Sequence, residues 1–146
     1  MDIQVKRADV SDSNALYVLS KSAFNSDCAT QQSITDSLRS NKREIILIAY
    51  VSGWPAGFLC GELYCSLCCN VLEGKVNELF VDEKYRKQGV ATKLIGEIEA
   101  IFKNANVSVI EIAANINNHT AQAFYSSCGY QNKTRMIYYK NSRFAE

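Results

Sequence analysis

The segment at residues 75–113 constrains the fold more than any other part of the chain, because its hydrophobic period changes twice. Residues 75–81 alternate like a strand, and residues 90–102 repeat apolar side chains at intervals of three and four, as an amphipathic helix does. Residues 107–113 form a short β-branched run, which indicates a buried strand. A strand, a helix and a strand in this order predict a right-handed crossover and a parallel pair of strands.

The same patterns predict further elements on both sides of this segment. They are a strand at residues 3–5, a helix capped by Ser11 or Ser13 and ending at about Phe24, a helix at residues 30–40, a hairpin of strands at residues 44–51 and 56–65, a helix at residues 120–128 closed by Gly129, and a last strand at residues 135–140. The resulting order, β-α-α-β-β-β-α-β-α-β, is that of an α/β fold with a mixed sheet. We expect a single domain over residues 1–146, because no repeat or linker-like stretch interrupts the chain.

Charge and hydropathy narrow the class of protein. Sixteen Lys and Arg residues oppose fifteen Asp and Glu residues, and a formal net charge of +1 provides no global field for nucleic acid or anionic lipid. The longest apolar run, from Ile45 to Val51, has seven residues, whereas a membrane-spanning helix needs about 20. The first twelve residues are polar and acidic, unlike a secretory signal. We therefore expect a cytoplasmic protein with no membrane or nucleic-acid partner.

Six cysteines and one histidine are the residue types that most often signal metal or nucleophilic chemistry. Cys65, Cys68 and Cys69 form a C-x-x-C-C cluster, but no second cysteine or histidine pair stands at zinc-ligand spacing. A domain of this size needs no disulfides, so we expect reduced thiols and no metal site. His119 lies in a polar stretch without the serine or cysteine motif that a nucleophilic mechanism would need.

The turn Arg86-Lys87-Gln88-Gly89-Val90-Ala91 follows a predicted strand and opens the long amphipathic helix. The start of a helix has backbone N–H groups without internal partners and a partial positive charge, so a glycine-containing turn there can hold a phosphate. Gly89 lets an anion approach the backbone, and Arg86 and Lys87 add positive charge. The turn matches neither of the common glycine-rich nucleotide motifs, so a plain turn is the alternative.

Two motifs in the second half of the chain resemble those of the GCN5-related N-acetyltransferases. The family pattern [RQ]-x-x-G-x-[GA], between the fourth strand and the next helix, is present as Arg86-x-x-Gly89-x-Ala91. A second family pattern is present as Asn118-x-x-Ala121-x-x-Phe124-Tyr125-x-x-x-Gly129-Tyr130. The first half of the chain agrees with the family in element order alone. The resemblance implies the acyltransferase fold of this family.

The resemblance also implies acetyl-coenzyme A as the acetyl donor and gives roles to the matching residues. The pyrophosphate is expected on the amides of the turn, at Gln88, Gly89, Val90, Ala91 and Thr92, with Arg86 and Lys87 beside it. The pantetheine arm is expected along the exposed backbone edge of the preceding strand, at Phe80 and Val81. Asn118 matches the family asparagine that contacts the cofactor, and it can also cap the helix that starts near Thr120.

The implied reaction is direct attack of a neutral primary amine on the thioester carbon. Tyr125 matches the residue that donates a proton to the coenzyme sulfur, and the ordinary tyrosine pKa of about 10 suits that role. Glu78 stands where many members carry an acidic residue facing the amine, so it is the candidate base, directly or through water, or the anchor of a cationic substrate. The backbone N–H of Phe80 or Val81 would hold the carbonyl oxygen. The alternatives are that Tyr125 is a core aromatic and Glu78 a solvent-facing carboxylate.

The acceptor amine stays open. Residues 129–140 look like the end of small aminoglycoside 6'-N-acetyltransferases, which suggests a small-molecule amine as substrate and a homodimer joined through C-terminal strands at residues 136–139. Some of those enzymes carry an acidic residue where this chain has Ala113-Ala114-Asn115. The alternatives are an acetyltransferase of protein N-termini or lysines, and a non-catalytic acyl-coenzyme A-binding module.

Overall fold

The computed structural model of the protein describes residues 1–68 and 70–141. They form two compact units, one from Met1 to Ala113 and one from Ala114 onward. The elements of the first unit are β1 (Ile3–Arg7), α1 (Ser13–Phe24), α2 (Gln31–Ser40), β2 (Glu44–Val51), β3 (Trp54–Cys65), β4 (Leu72–Val81), α3 (Val90–Asn104) and β5 (Val109–Ile112). The second unit contains α4 (His119–Ser127).

The five strands form one sheet in the order β1-β2-β3-β4-β5. The first three pairings are antiparallel, and β4 and β5 run parallel with α3 between them. The α/β class and the parallel pair predicted from residues 75–113 are therefore confirmed. A turn at residues 82–89, which contains a short 3-10 segment (Glu83–Tyr85), connects the end of β4 to the start of α3.

Helix α3 packs on one face of the sheet through a buried apolar stripe of Val90, Leu94, Ile95, Ile98 and Phe102. Two glycines allow the close approach. A Cβ at Gly74 would lie 2.6 Å from the Phe102 ring, and one at Gly61 would lie 3.2 Å from Ile98 Cδ1. The spacing of these apolar residues predicted the buried face, and the glycines determine how near the helix lies to β3 and β4.

Helices α1 and α2 pack on the opposite face. Leu16 and Leu19 of α1 belong to a buried cluster with Ile48, Phe58 and Cys60 of the sheet, and Ile34 and Leu38 of α2 lie against it. Helix α2 begins after Thr30, whose Oγ1 accepts a hydrogen bond from the Ser33 N–H at 3.1 Å. The predicted helix at residues 30–40 is thus confirmed.

The start of α1 differs from the prediction that Ser11 or Ser13 caps it. A short 3-10 turn, Val10–Asp12, precedes the helix, and Asp9 caps that turn by accepting the Ser11 N–H at 2.8 Å. Asp12 accepts the Asp9 N–H at 2.9 Å in return, which completes a capping box. The carboxylates prevail because each can accept a backbone N–H, while the Ser13 hydroxyl donates to the Val10 carbonyl instead.

One strand prediction is wrong, and another is wrong in burial alone, since the strand predicted at residues 107–113 exists as β5. Strand β5 is only partly buried, with Val109 half-exposed, because it is an edge strand that pairs with β4 alone among the described residues. Residues 135–140 form neither strand nor helix. Their alternating pattern suits a strand, but a strand needs a neighbour, and no described strand pairs with this segment. The side chains at residues 136–139 stay exposed.

Candidate active site

The C-terminal part of β4 has an unpaired edge. The ladder between β4 and β5 ends at Val76, whereas β3 accompanies β4 to Val81. From Asn77 to Val81, the edge of β4 on the β5 side therefore has no strand partner among residues 1–68 and 70–141. An extended chain that contains amides can hydrogen bond to such an edge. Phe80 and Val81, the predicted pantetheine contacts, lie in this stretch.

A β-bulge lies just before this edge. The register changes from Cys60 opposite Glu78 to Gly61 opposite Val76, which leaves Asn77 as an extra residue in β4. Because of this extra residue, Glu78 and Phe80 lie on the face on which α1 and α2 pack. The Phe80 ring packs on Phe58 with a centroid distance of 5.8 Å. The bulge thereby sets the direction of the Glu78 side chain.

Gly57 is a residue of this region that sequence reasoning missed. A Cβ there would lie 2.5 Å from the Phe80 carbonyl oxygen and 3.3 Å from the Val81 Cα. Only glycine lets β3 approach β4 so closely at this point. The available signal was a glycine inside an apolar strand, which indicates a close approach of two backbones.

The turn between β4 and α3 contains two residues in the left-handed region. Lys87 has φ 59° and Gly89 has φ 89°. Arg86 Nε donates to the Val81 carbonyl at 3.0 Å, and Gln88 Nε2 donates to the Lys84 carbonyl at 2.8 Å. The Arg86 side chain ties the turn to the end of β4, and the Gln88 side chain bonds within the turn itself. Arg86 therefore contributes a structural contact in addition to its charge.

The start of α3 has free backbone donors. The N–H of Lys93 donates to the Gly89 carbonyl at 3.0 Å and is the first intrahelical donor, so the N–H groups of Val90, Ala91 and Thr92 have no acceptor within the helix. No described side chain caps this end of the helix. The nearest atom to a Cβ built on Gly89 is Ile3 Cδ1, at 3.9 Å. Free donors, an open approach and the positive end of a 15-residue helix fit a bound pyrophosphate.

Glu78 is exposed to solvent at the bulge, but its carboxyl group is partly desolvated. Burial raises the pKa of the Glu78 carboxyl above its ordinary value, and the negative charge of Glu44 raises it further. A carboxylate with a raised pKa is a stronger proton acceptor than an ordinary surface glutamate. This electrostatic setting is the one that a base for an amine needs.

The second unit contains the other two predicted site residues. Asn118 Oδ1 accepts the Ala121 N–H at 3.1 Å, so Asn118 caps α4, as its alternative role predicted.

Tyr125 is half-buried, with its ring centroid 5.6 Å from that of Phe124 and 6.3 Å from that of Tyr130. Burial raises the pKa of the Tyr125 phenol, and the nearby Cys128 raises it further. The phenol therefore stays protonated at neutral pH. Gly129 follows with φ 93° and ends the helix, as predicted.

The predicted site residues fall into two groups. Glu78, Phe80, Val81 and residues 86–92 adjoin one another along β4, the turn and α3 of the first unit. Asn118 and Tyr125 lie on α4 of the second unit.

The C-x-x-C-C cluster and His119 were the candidates for metal or nucleophilic chemistry. Cys65 and Cys68 are exposed free thiols, and Cys69 lies outside the described residues. Among the residues that the structure describes, no group of His, Cys, Asp and Glu could hold a metal ion. His119 is exposed at the start of α4. No described helix is long and apolar enough to cross a membrane.

The sequence and the fold of this chain are similar to those of known proteins. The profile of the acetyltransferase (GNAT) family matches residues 13–130. An uncharacterised N-acetyltransferase of Methanocaldococcus jannaschii is 27% identical over 89 residues, which cover 59% of this chain and 38% of that protein. N-alpha-acetyltransferase 30 of Schizosaccharomyces pombe is 32% identical over 71 residues, which cover 48% of this chain and 47% of that protein. The matches thus span less than half the length of these two relatives.

A solved structure of the aminoglycoside N-acetyltransferase AAC(6')-Iy, in complex with the bisubstrate analogue CoA-S-monomethyl-acetylneamine, has a similar backbone. The TM-score is 0.85 at 16% identity, and the match covers 98% of this chain and 100% of that one. At this identity the likeness establishes the fold.

Proposed function

The chain belongs to the GNAT acetyltransferase family, and we propose that it is an N-acetyltransferase that uses acetyl-coenzyme A. One observation carries this proposal. One turn, residues 82–89, connects the unpaired edge of β4 to the free N–H groups at the start of α3, and the family motif Arg86-x-x-Gly89-x-Ala91 lies at that junction. An anion site and an amide-pairing edge in sequence suit a ligand that has a pyrophosphate and an amide-containing arm.

The cofactor residues follow from this junction. The amides of residues 88–92 bind the pyrophosphate, and Arg86 and Lys87 add positive charge beside it. The backbone of Phe80 and Val81 pairs with the pantetheine arm. Asn118 is the proposed contact from the second unit, in addition to its capping role. The bound cofactor supplies an acetyl group activated as a thioester.

Three tasks then remain for the protein. Glu78 takes a proton from the acceptor ammonium, directly or through water, because only the neutral amine is a nucleophile. The N–H of Phe80 or Val81 donates to the oxygen that gains negative charge during attack. Tyr125 donates the proton that the leaving sulfur needs. The raised pKa of Glu78 and the protonated state of Tyr125 support these assignments.

The proposed acceptor is a primary amine of a small molecule, with an aminoglycoside as the leading example. The support is the similarity of this fold to that of AAC(6')-Iy. A second candidate is the amine of a protein N-terminus or lysine, which the similarity to N-alpha-acetyltransferase 30 of Schizosaccharomyces pombe favours.

The test is release of coenzyme A thiol from acetyl-coenzyme A with three kinds of amine. Sisomicin, spermidine and a peptide with a free N-terminus represent the acceptor classes. We expect thiol release with a small amine, and a loss of at least about 10-fold in kcat/KM for Glu78→Gln or Tyr125→Phe. Glu62→Gln and Tyr64→Phe, which change the same residue types elsewhere in the sheet, serve as controls.

The outcomes of this assay distinguish between the proposed acceptors and between an enzyme and a binding module. Activity on the peptide alone would replace the small-molecule acceptor with a protein. If acetyl-coenzyme A binds but no amine causes release of the coenzyme A thiol, the proposed acetyltransferase activity is contradicted. The chain would then be an acyl-coenzyme A-binding module.

We also propose a homodimer and a single functional domain over residues 1–146. The support for the dimer is the run of exposed apolar side chains at Met136, Ile137, Tyr138 and Tyr139. The family profile, which extends from the first unit into the second, supports the single domain. A cytoplasmic location is proposed because the described cysteines are free thiols, as is usual in a reducing compartment.

A further inference from the structure

Glu44, Cys60 and Glu78 lie on one face of three adjacent strands. The register places Cys60 of β3 between Ile46 of β2 and Glu78 of β4. Glu44 is two residues from Ile46 on the same strand, so it shares this face. Apolar residues of α1 and α2 cover the adjoining part of the face. The two carboxylates therefore flank one buried thiol at the border of the covered region.

Asn41 anchors Glu44 through two hydrogen bonds. Asn41, at the C-terminal end of α2, donates from Nδ2 to Glu44 Oε2 at 3.3 Å. Asn41 Oδ1 also accepts the Glu44 N–H at 3.2 Å. On the other side, the Glu44 carboxylate lies near the buried Cys60 thiol, whose pKa its negative charge raises. The carboxylate of Glu44 is thus anchored at the C-terminal end of α2 and carries its charge toward Cys60.

The negative charges of Glu44 and Glu78 both influence the Cys60 thiol. Burial raises the pKa of this thiol, and the charges of Glu44 and Glu78 raise it further. A thiol between two carboxylates cannot neutralise either of them. The charge of Glu44 consequently reaches Glu78 across β3.

We propose that Glu44 is a positioning residue of the acceptor site, which acts on the acceptor amine through Glu78. This inference rests on the proposed role of Glu78 as the proton acceptor. A fixed negative charge disfavours the ionised form of Glu78, and it makes Glu78 hold a proton more firmly. Glu44 itself touches neither the amine nor the cofactor in this account.

Two other charged groups on this face, Glu62 and Lys75, have contacts of their own. Glu62 of β3 accepts from Arg43 Nε at 3.1 Å. Lys75, on the same strand as Glu78, lies over the Tyr64 ring with its Nζ 5.1 Å from the centroid. The residues of α1 and α2 in the cluster on this face, which include Leu16, Leu19 and Leu38, carry no charge. Glu44 is accordingly the charge that raises the pKa of Glu78, beside burial.

The direct test is a pH titration of the Glu78 side-chain carboxyl by ¹³C NMR, with Glu78→Gln used to assign the resonance. Glu44→Gln keeps an oxygen that can accept from Asn41 and removes the charge. We expect the Glu78 titration in this variant to move to lower pH. Glu62→Gln is the matched control, because it removes a neighbouring charge that is paired with Arg43.

The functional readout is the acidic limb of kcat/KM with sisomicin or another amine accepted by the wild type. We expect this limb to move to lower pH in Glu44→Gln and to stay in place in Glu62→Gln. An NMR titration of Glu78 that is the same in Glu44→Gln and wild type would overturn the inference. Full activity in Glu78→Gln would instead overturn the proposed function, so the two failures are distinguishable. Circular dichroism of each variant confirms that it is folded.

Discussion

Single residues determine the geometry of the cofactor turn. Gly89 is left-handed at φ 89° and has open space beside it, which suits the approach of an anion. The motif made this residue predictable from the sequence, because a glycine between a strand and a helix has a recognisable spacing. Gly57 and Glu44 were not predictable in this way. Their roles depend on which strand lies opposite, and register is a tertiary property.

Gly89→Asp tests the turn at the residue scale. The substitution adds bulk and negative charge at an anion site, so we expect acetyl-coenzyme A to leave its thermal midpoint unchanged. For the wild type, a ligand at 100 times its dissociation constant adds about 2.7 kcal/mol to the free energy of unfolding, which raises the midpoint. The measurement is a thermal melt with and without acetyl-coenzyme A.

Gly53→Asp is the control for backbone strain. Gly53 is also left-handed, at φ 83°, and it also has open space, but it lies in the turn between β2 and β3. We expect this variant to lose stability and to keep the ligand-induced rise. A normal ligand-induced rise of the thermal midpoint in Gly89→Asp would contradict the assignment of the pyrophosphate to this turn.

At the scale of elements, the hydrophobic period predicted most helices and strands. It failed where the structure depends on a strand partner or on the choice of a capping residue. The apolar stripe of α3 was correct because packing on the sheet enforces it. The segment at residues 135–140 has the alternation of a strand but no described partner, so the local pattern was insufficient. The start of α1 was misplaced because several capping residues compete within a few positions.

The packing of α3 on the sheet can be tested by two glycine substitutions. Gly74→Ala would place a methyl group 2.6 Å from the buried Phe102 ring, and we expect a loss of about 1–3 kcal/mol in the free energy of unfolding. Gly96→Ala, on the exposed side of α3 with no atom nearby, should increase that free energy by about 0.5–1 kcal/mol. Urea denaturation measures both. Equal effects of the two substitutions would contradict the close contact of Phe102 with β4.

At the scale of the whole molecule, the exposed segment at residues 136–139 predicts self-association. We expect a dimer by light scattering after gel filtration. Tyr138→Asp should give a monomer, because it places a charge in the apolar run. Trp54→Asp changes an aromatic residue that is 70% exposed at a different turn, and it should leave the dimer intact. A monomeric wild type at micromolar concentration would contradict the dimer.

The uncapped start of α3 has a consequence for the lifetime of the protein. A side-chain cap is worth about 1 kcal/mol to a helix, and α3 has none among the described residues. A bound pyrophosphate would stabilise the same N–H groups, so the folded population would depend on the supply of coenzyme A and its thioesters. When that supply falls, the unfolded fraction would rise, and proteases degrade that fraction first. The abundance of the enzyme would then follow the supply of its own cofactor.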